Sequence, residues 1–242
     1  MNEEFDNSAK RLLALLNSGR SIQQTRICRD VWHELLDTGR DEAQLMTRLG
    51  KVMALPGEVV AAMSKYYPHQ SSVWSHWFAQ VNHAFINQQL SGQWASFITA
   101  IDVHSFNYLS MTADMLANRE TVKTIDPNKL TELRDQLAEF VSEILKSDID
   151  VGVKDTLARH VQRLIVALDE YRFTGTMPIL DAVDAAIGHV MRDLQYSSTL
   201  KSSEFGARFI NLLSVASSMV TVVQGYPQLA AGFDAAKKAL GW

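Results

Sequence analysis

Apolar residues recur at intervals of three and four along most of the chain, the spacing of one face of an α-helix, and turn or capping residues punctuate the runs. Leu12, Leu13, Leu15 and Leu16 predict a short first helix ended by Gly19. Ser21 with Gln24 reads as a capping box for a second, whose core face is Cys28, Val31, Trp32, Leu35 and Leu36 and which Gly39 stops. Asp41 opens a third helix carrying Leu45, Met46, Leu49, Val52 and Met53; Pro56-Gly57 is expected to break it, leaving a short fourth helix to about Tyr67. From Ser72 to Leu90, Trp74, Trp77, Phe78, Val81 and Phe85 share one face. After the Ser91-Gly92 turn, Trp94, Phe97, Ile98 and Ile101, then Tyr108, Leu109, Met115 and Leu116, continue the pattern with a break near Asp102. This predicts an aromatic, charge-poor hairpin over 71–118.

The second half is more regular. Asp126-Pro127 is a strong helix start, an N-cap aspartate with proline at the first helical position. Leu130, Leu133, Leu137, Phe140, Val141, Ile144 and Leu145 form the stripe that follows, and Leu157, Val161, Leu164, Ile165 and Leu168 form the next, ending near Gly175. Pro178 opens a helix with Leu180, Val183, Ile187, Val190 and Leu194; Tyr196 to Ser203 reads as a polar linker. A final apolar helix spans about Glu204 to Gln224, with a short tail helix after Pro227. No run of alternating β-branched residues occurs. The expectation is an all-α, multi-helix bundle of about eight to ten helices. Two helical subdomains, 1–118 and 124–242, are an option, a single bundle the other.

Composition agrees: 47% of the 242 residues are hydrophobic and 21% charged, with only 5 prolines and 12 glycines, as suits a globular helical chain. The formal net charge of −4 supplies no cationic field for nucleic acid, so a nucleic-acid partner is not expected. The single cysteine, Cys28, cannot form an intrachain disulfide, and the acidic first residues hold no secretory apolar run; a cytoplasmic location is expected. Charge distribution is more informative. Between Lys65 and Arg119 there is no lysine or arginine, and only Asp102 and Asp114 carry charge; Phe209 to Phe233 carries none.

These two segments hold the candidate surfaces. His76, Gln80, His83 and Asn87 fall on one helical face opposite the aromatic stripe. His76 and His83, two turns apart, are separated by about 10 Å, too far to share one metal ion. Such a neutral polar face is expected either to be hydrogen-bonded inside a central helix or to meet a partner, because interface cores are poor in charge and rich in aromatics. Trp74, His76, Trp77, Gln80, His83, Asn87 and Trp94 are the candidates for that interface, or for a ligand pocket in its place. On the last helix, Phe209, Leu212, Leu213, Ser214, Ser218 and Val222 are candidates for self-association, Ser214 and Ser218 being a small-residue pair that lets helices approach; membrane insertion is the lesser alternative, since polar residues dilute the run.

Familiar chemistry is absent from the sequence: no phosphate loop, dinucleotide glycine motif, zinc-protease helix, paired CxxC or nucleophile elbow occurs. We expect no metal and no cofactor. The acidic row Glu132, Asp135, Glu139 and Glu143 lacks the Glu-x-x-His partner of a di-metal bundle and reads as a solvated face. Residues 38–67 are faintly similar to a helix-turn-helix, but are charge-neutral where DNA needs cations.

Two family resemblances remain. Arg26-Ile-Cys-Arg-Asp-Val-Trp-His33 resembles the arginine-to-histidine signature of HEPN ribonucleases, all-helical proteins that often act as toxins, with Ile27 departing from the polar residue usual after the arginine. The resemblance implies Arg26 and His33 as catalytic candidates on one helical face; the alternative expectation is a bacterial toxin-like or phage-defence effector, acting as such an RNase or through membrane perturbation by the C-terminal helix. Ala167-Leu168-x-x-Tyr171-Arg172-x-x-Gly175, followed by Leu180, Ala186 and Gly188, is similar to a pattern in uncharacterised bacterial helical proteins and implies no activity. Gly188 is expected to let two helices pack closely. The leading expectation is a non-enzymatic interaction or assembly protein that binds a protein partner or a second copy of itself.

Overall fold

In a computed structural model, which describes residues 6–120, 122–224 and 238, the chain is an all-α, multi-helix bundle protein; twelve helices and no strand occur among the described residues. The helices are α1 (Ser8–Arg20), α2 (Cys28–Leu36), α3 (Glu42–Tyr66), α4 (Ser71–Asn87), α5 (Ala95–Ile98), α6 (Val103–Ala117), α7 (Pro127–Lys146), α8 (Val151–Asp169), α9 (Tyr171–Thr174), α10 (Met177–Arg192), α11 (Leu194–Ser202) and α12 (Glu204–Gln224). Two compact units result. The first comprises residues 6–120 with Arg172–Gly175, the second Val122–Tyr171 with residues 176–224. The segment Arg172–Gly175 therefore leaves the C-terminal half to join the N-terminal unit, an exchange that a division at 118–124 does not contain.

Half of the described helix starts follow local capping chemistry. Asp41, Asp102, Asp126 and Asp150 each accept a backbone N–H from the first turn of α3, α6, α7 and α8. Asp193 does the same for α11, accepting from Tyr196 N at 2.9 Å, so the expected linker is a helix that buries Tyr196, Ser197 and Leu200. The tail helix expected after Pro227 lies outside the described residues.

Three local expectations yield to tertiary packing. Pro56 does not break α3, because Leu45, Leu49, Val52, Leu55, Val59 and Met63 are one continuous buried stripe that outweighs one lost backbone bond. Met46 and Met53, assigned to that stripe, face solvent instead. Ser21 and Gln24 form no capping box: α2 begins at Cys28, preceded by Ile27 without a side-chain cap. Around an isolated bridge between Ile27 and Gln93, residues 24–29 exchange backbone hydrogen bonds with 90–95. Trp94 N donates to Arg26 O at 2.7 Å, Cys28 N to Gly92 O at 2.8 Å and Ala95 N to Gln24 O at 2.9 Å. Those partners satisfy the backbone groups that a longer helix would have used.

The core of the first unit is aromatic. Trp32 meets Trp94 and Phe97 edge-on at centroid distances of 5.1 and 4.9 Å, and Phe85 in a stack at 6.0 Å. Trp94 passes over Gly19, donating its indole N–H to Gly19 O at 2.8 Å. Phe173, from the inserted segment, is 1% exposed in this core. Arg48, also buried, donates to Leu36 O at 2.7 Å and Asp37 O at 2.6 Å, tying α3 to the left-handed C-cap of α2.

The second unit buries the facing stripes of α7, α8, α10, α11 and α12. Phe140 of α7 packs against Phe205 and Phe209 of α12. The acidic row on α7 is not wholly solvated: Arg208 of α12 reaches Glu143 and, at 3.3 Å, Glu139, while Arg134 bonds Asp169 at 2.9 Å. Gly175 takes a left-handed φ of 74°. Nothing lies within 4 Å of where a Cβ on Gly188 would stand, so the close helix approach expected there does not occur.

Candidate functional site

The residues singled out in the charge-poor hairpin separate into two populations. Trp74, Trp77 and Trp94 are 6%, 0% and 0% exposed and cannot meet a partner; they belong to the core because the aromatic stripe is the inward face of α4 and of the loop before α5. Trp77 Nε1 donates to Thr112 Oγ1 at 3.2 Å, and Thr112 is buried beneath it on α6. His76, His83 and Asn87 point to solvent, with Gln80 half-buried. The polar face of α4 is therefore an outer surface rather than the bonded side of a central helix.

That surface continues onto α6. His76 Nε2 lies 2.8 Å from Asp102 Oδ2, and its ring stands edge-on to Tyr108 at 6.2 Å. The Ser105 backbone N–H first, and His76 after it, hold the Asp102 carboxyl below the usual carboxylate range. The one acidic group where the helices meet is thus already satisfied. Four large apolar side chains are exposed among the polar ones on these two helices: Ile86 is 77% exposed, Met111 54%, Val103 50% and Tyr108 40%. Helical spacing aligns Ile86 with His76 and His83 on α4, and Tyr108 with His104 and Met111 on α6. Tyr108 was expected in the core. The cap at Asp102 instead sets the phase of α6 so that Ser105, Phe106, Leu109, Thr112, Ala113 and Leu116 turn inward. Ile86, Val103, Tyr108 and Met111 are the residues that sequence reasoning missed. An apolar side chain signals core in a sequence, and only the packing shows which ones are left outside.

On α12, Phe209, Leu212 and Leu213 are buried, because they form the inner stripe packed in the second unit, and are not available for self-association. Ser218 and Val222 are exposed and Ser214 is half-buried. These three line a cleft of about 710 Å³ between α12 and α7, with Leu133, Ile125 and Val223 at its base. Glu204–Val223 is long and apolar enough to cross a membrane by length and composition, with 56% of that stretch buried inside the protein.

Arg26 and His33 do not share a helical face. Arg26 lies in the turn segment before α2 and pairs with Glu34 at 2.7 Å. His33 is on α2, its Nδ1 2.7 Å from Thr38 Oγ1 and its Nε2 3.4 Å from Glu42, which also binds Arg29. Each of the two is thus held by its own partners, because the backbone pairing around Ile27 delays the start of α2 to Cys28 and leaves Arg26 outside it. Cys28 is fully buried, its thiol donating to Gln88 Oε1 at 3.7 Å, and burial pushes it up to about 11, which keeps it protonated and unreactive. Gln88 Oε1 also accepts from Trp32 Nε1 at 2.7 Å. No group of three or more histidine, cysteine, aspartate or glutamate side chains able to hold a metal occurs among the described residues. No family model, no curated protein and no solved structure matches this chain.

Proposed function

We propose that this protein is a cytoplasmic interaction or assembly protein that associates with a second copy of itself through the outer face of α4 and α6. The observation that carries this reading is the exposure of Ile86, Val103, Tyr108 and Met111 on α4 and α6, two helices without lysine or arginine. A solvated helix face normally alternates charges of both signs, whereas the centre of an interface is depleted in charge and enriched in aromatic and methionine side chains. A second copy suits this face because a two-fold contact brings the same patch against itself, so a charge-poor patch meets little like charge. Here Asp102 is hydrogen-bonded to His76, and Asp114 is the only other acidic or basic side chain in 66–118 besides histidines, so self-contact sets few like charges together.

Sedimentation velocity over a wide concentration range tests the assignment. The expected result is a concentration-dependent dimer that Ile86→Glu and Met111→Glu each weaken by at least tenfold in Kd, with helical circular dichroism unchanged; about 1.4 kcal/mol per interface corresponds to that factor. A monomer at every concentration, or a dimer indifferent to both substitutions, would overturn it.

A further inference from the structure

His160 stands on α8 in the interior of the second unit, 4% exposed, and neither of its ring nitrogens has a hydrogen-bond partner. Its ring lies 5.2 Å from that of His189 on α10, which in turn is edge-on to Tyr196 of α11 at 5.0 Å. Tyr196 is 3% exposed and its hydroxyl is likewise buried without a partner. Three polar rings therefore fill the corner where α8, α10 and α11 meet, and two of them are unbonded. A buried polar group without a partner costs free energy that packing elsewhere must offset, so its retention in a core calls for a physical account.

The charges around the cluster are unbalanced. Arg159 and Arg163 flank His160 on α8 and His189 faces it from α10. From α11 comes only the Tyr196 phenol, which burial keeps protonated. Asp193, at the α10–α11 junction, brings a carboxylate to the cluster on the His189 side: its Oδ2 is 4.0 Å from His189 Nε2, while its Oδ1 caps α11. A proton placed on His160 thus adds a cation beside two arginines and a histidine, in a site with no acceptor for it.

We propose that this corner is an acid-sensitive latch, in which protonation of His160 releases α11 from α8 and α10. The latch is built from the least anchored of the longer helices: α11 has nine residues and buries only Tyr196, Ser197 and Leu200. A helix of that length has little stability of its own and depends on its packing. Burial first, and then His189, Arg159 and Arg163, push His160 down from its ordinary value of 6.5 to about 4. Below pH 6.5 the opened form takes up a proton that the closed form refuses. The closed form is therefore fully favoured above pH 6.5, loses its advantage progressively down to about pH 4, and loses no more below that.

Hydrogen exchange of the α11 amides, corrected for the intrinsic pH dependence of exchange, tests the latch in the full chain. Lowering the pH from 7.5 to 5 is expected to increase α11 opening by about 30-fold in the wild type. In His160→Phe and His160→Gln the increase is expected to disappear. Tyr196→Phe, which removes the orphaned hydroxyl alone, is expected to keep it. Carbon-bound proton shifts of His160 by nuclear magnetic resonance supply a readout that needs no variant, with titration expected below pH 5. Normal titration of His160 near 6.5, protection of α11 that does not change with pH, or a change that survives in both His160 variants would each sink the proposal.

Discussion

Two glycines show how single residues constrain the first unit, and for different reasons. A Cβ on Gly19 would lie 2.8 Å from Trp94 Cζ2, an aromatic ring fixed by its bond to Gly19 O and by contacts with Trp32 and Phe97. Gly19→Ala should therefore cost about 1–3 kcal/mol, the range for overpacking a well-filled core. On Gly175 the obstacle is the Arg11 guanidinium at 2.7 Å, the movable end of a side chain that is nevertheless paired with Asp6 at 2.8 Å. The φ of 74° adds backbone strain, so Gly175→Ala should cost about 1–2 kcal/mol even where Arg11 moves aside. Urea denaturation midpoints of the two variants measure both costs, and Arg11→Ala in the Gly175→Ala background separates contact from strain. Gly175 is legible in sequence as a helix-ending glycine. Gly19 looks the same, but its constraint comes from a tryptophan 75 residues away.

At the level of elements, Asp102 carries two loads that can be taken apart. Its Oδ1 accepts the Ser105 N–H at 2.7 Å and caps α6; its Oδ2 meets His76 of α4. Asp102→Asn keeps the cap and removes the charge, whereas Asp102→Ala removes both. The alanine variant should lose about 1 kcal/mol for the cap. The asparagine variant should lose much less, since the exposed pair with His76 is worth little in solvent. Thermal denaturation at neutral pH compares them; equal losses in the two variants would refute the division. Helix starts of this kind were readable because a cap acts within four residues. The continuation of α3 through Pro56 and the late start of α2 at Cys28 were not, since a distant stripe and a distant loop decide them.

Across the whole chain, Phe173 makes the first unit depend on residues far along the sequence. Phe173→Ala should destabilise that unit by about 3–5 kcal/mol, the usual loss for a buried phenylalanine. A fragment ending at residue 121 should show the same deficit, and near-ultraviolet circular dichroism of the tryptophan core reports it. A fragment as stable as the full chain's tryptophan core would contradict this dependence. The sequence by itself determined that the chain is helical, where most helices begin, and which segments lack charge, because periodicity, capping and composition act over one or two turns. Only the tertiary structure decided which apolar residues of α4, α6 and α12 remain outside, that Arg26 and His33 belong to separate networks, and that His160 and Tyr196 are buried unbonded. Those outcomes depend on which helices meet, and local spacing carries no record of that.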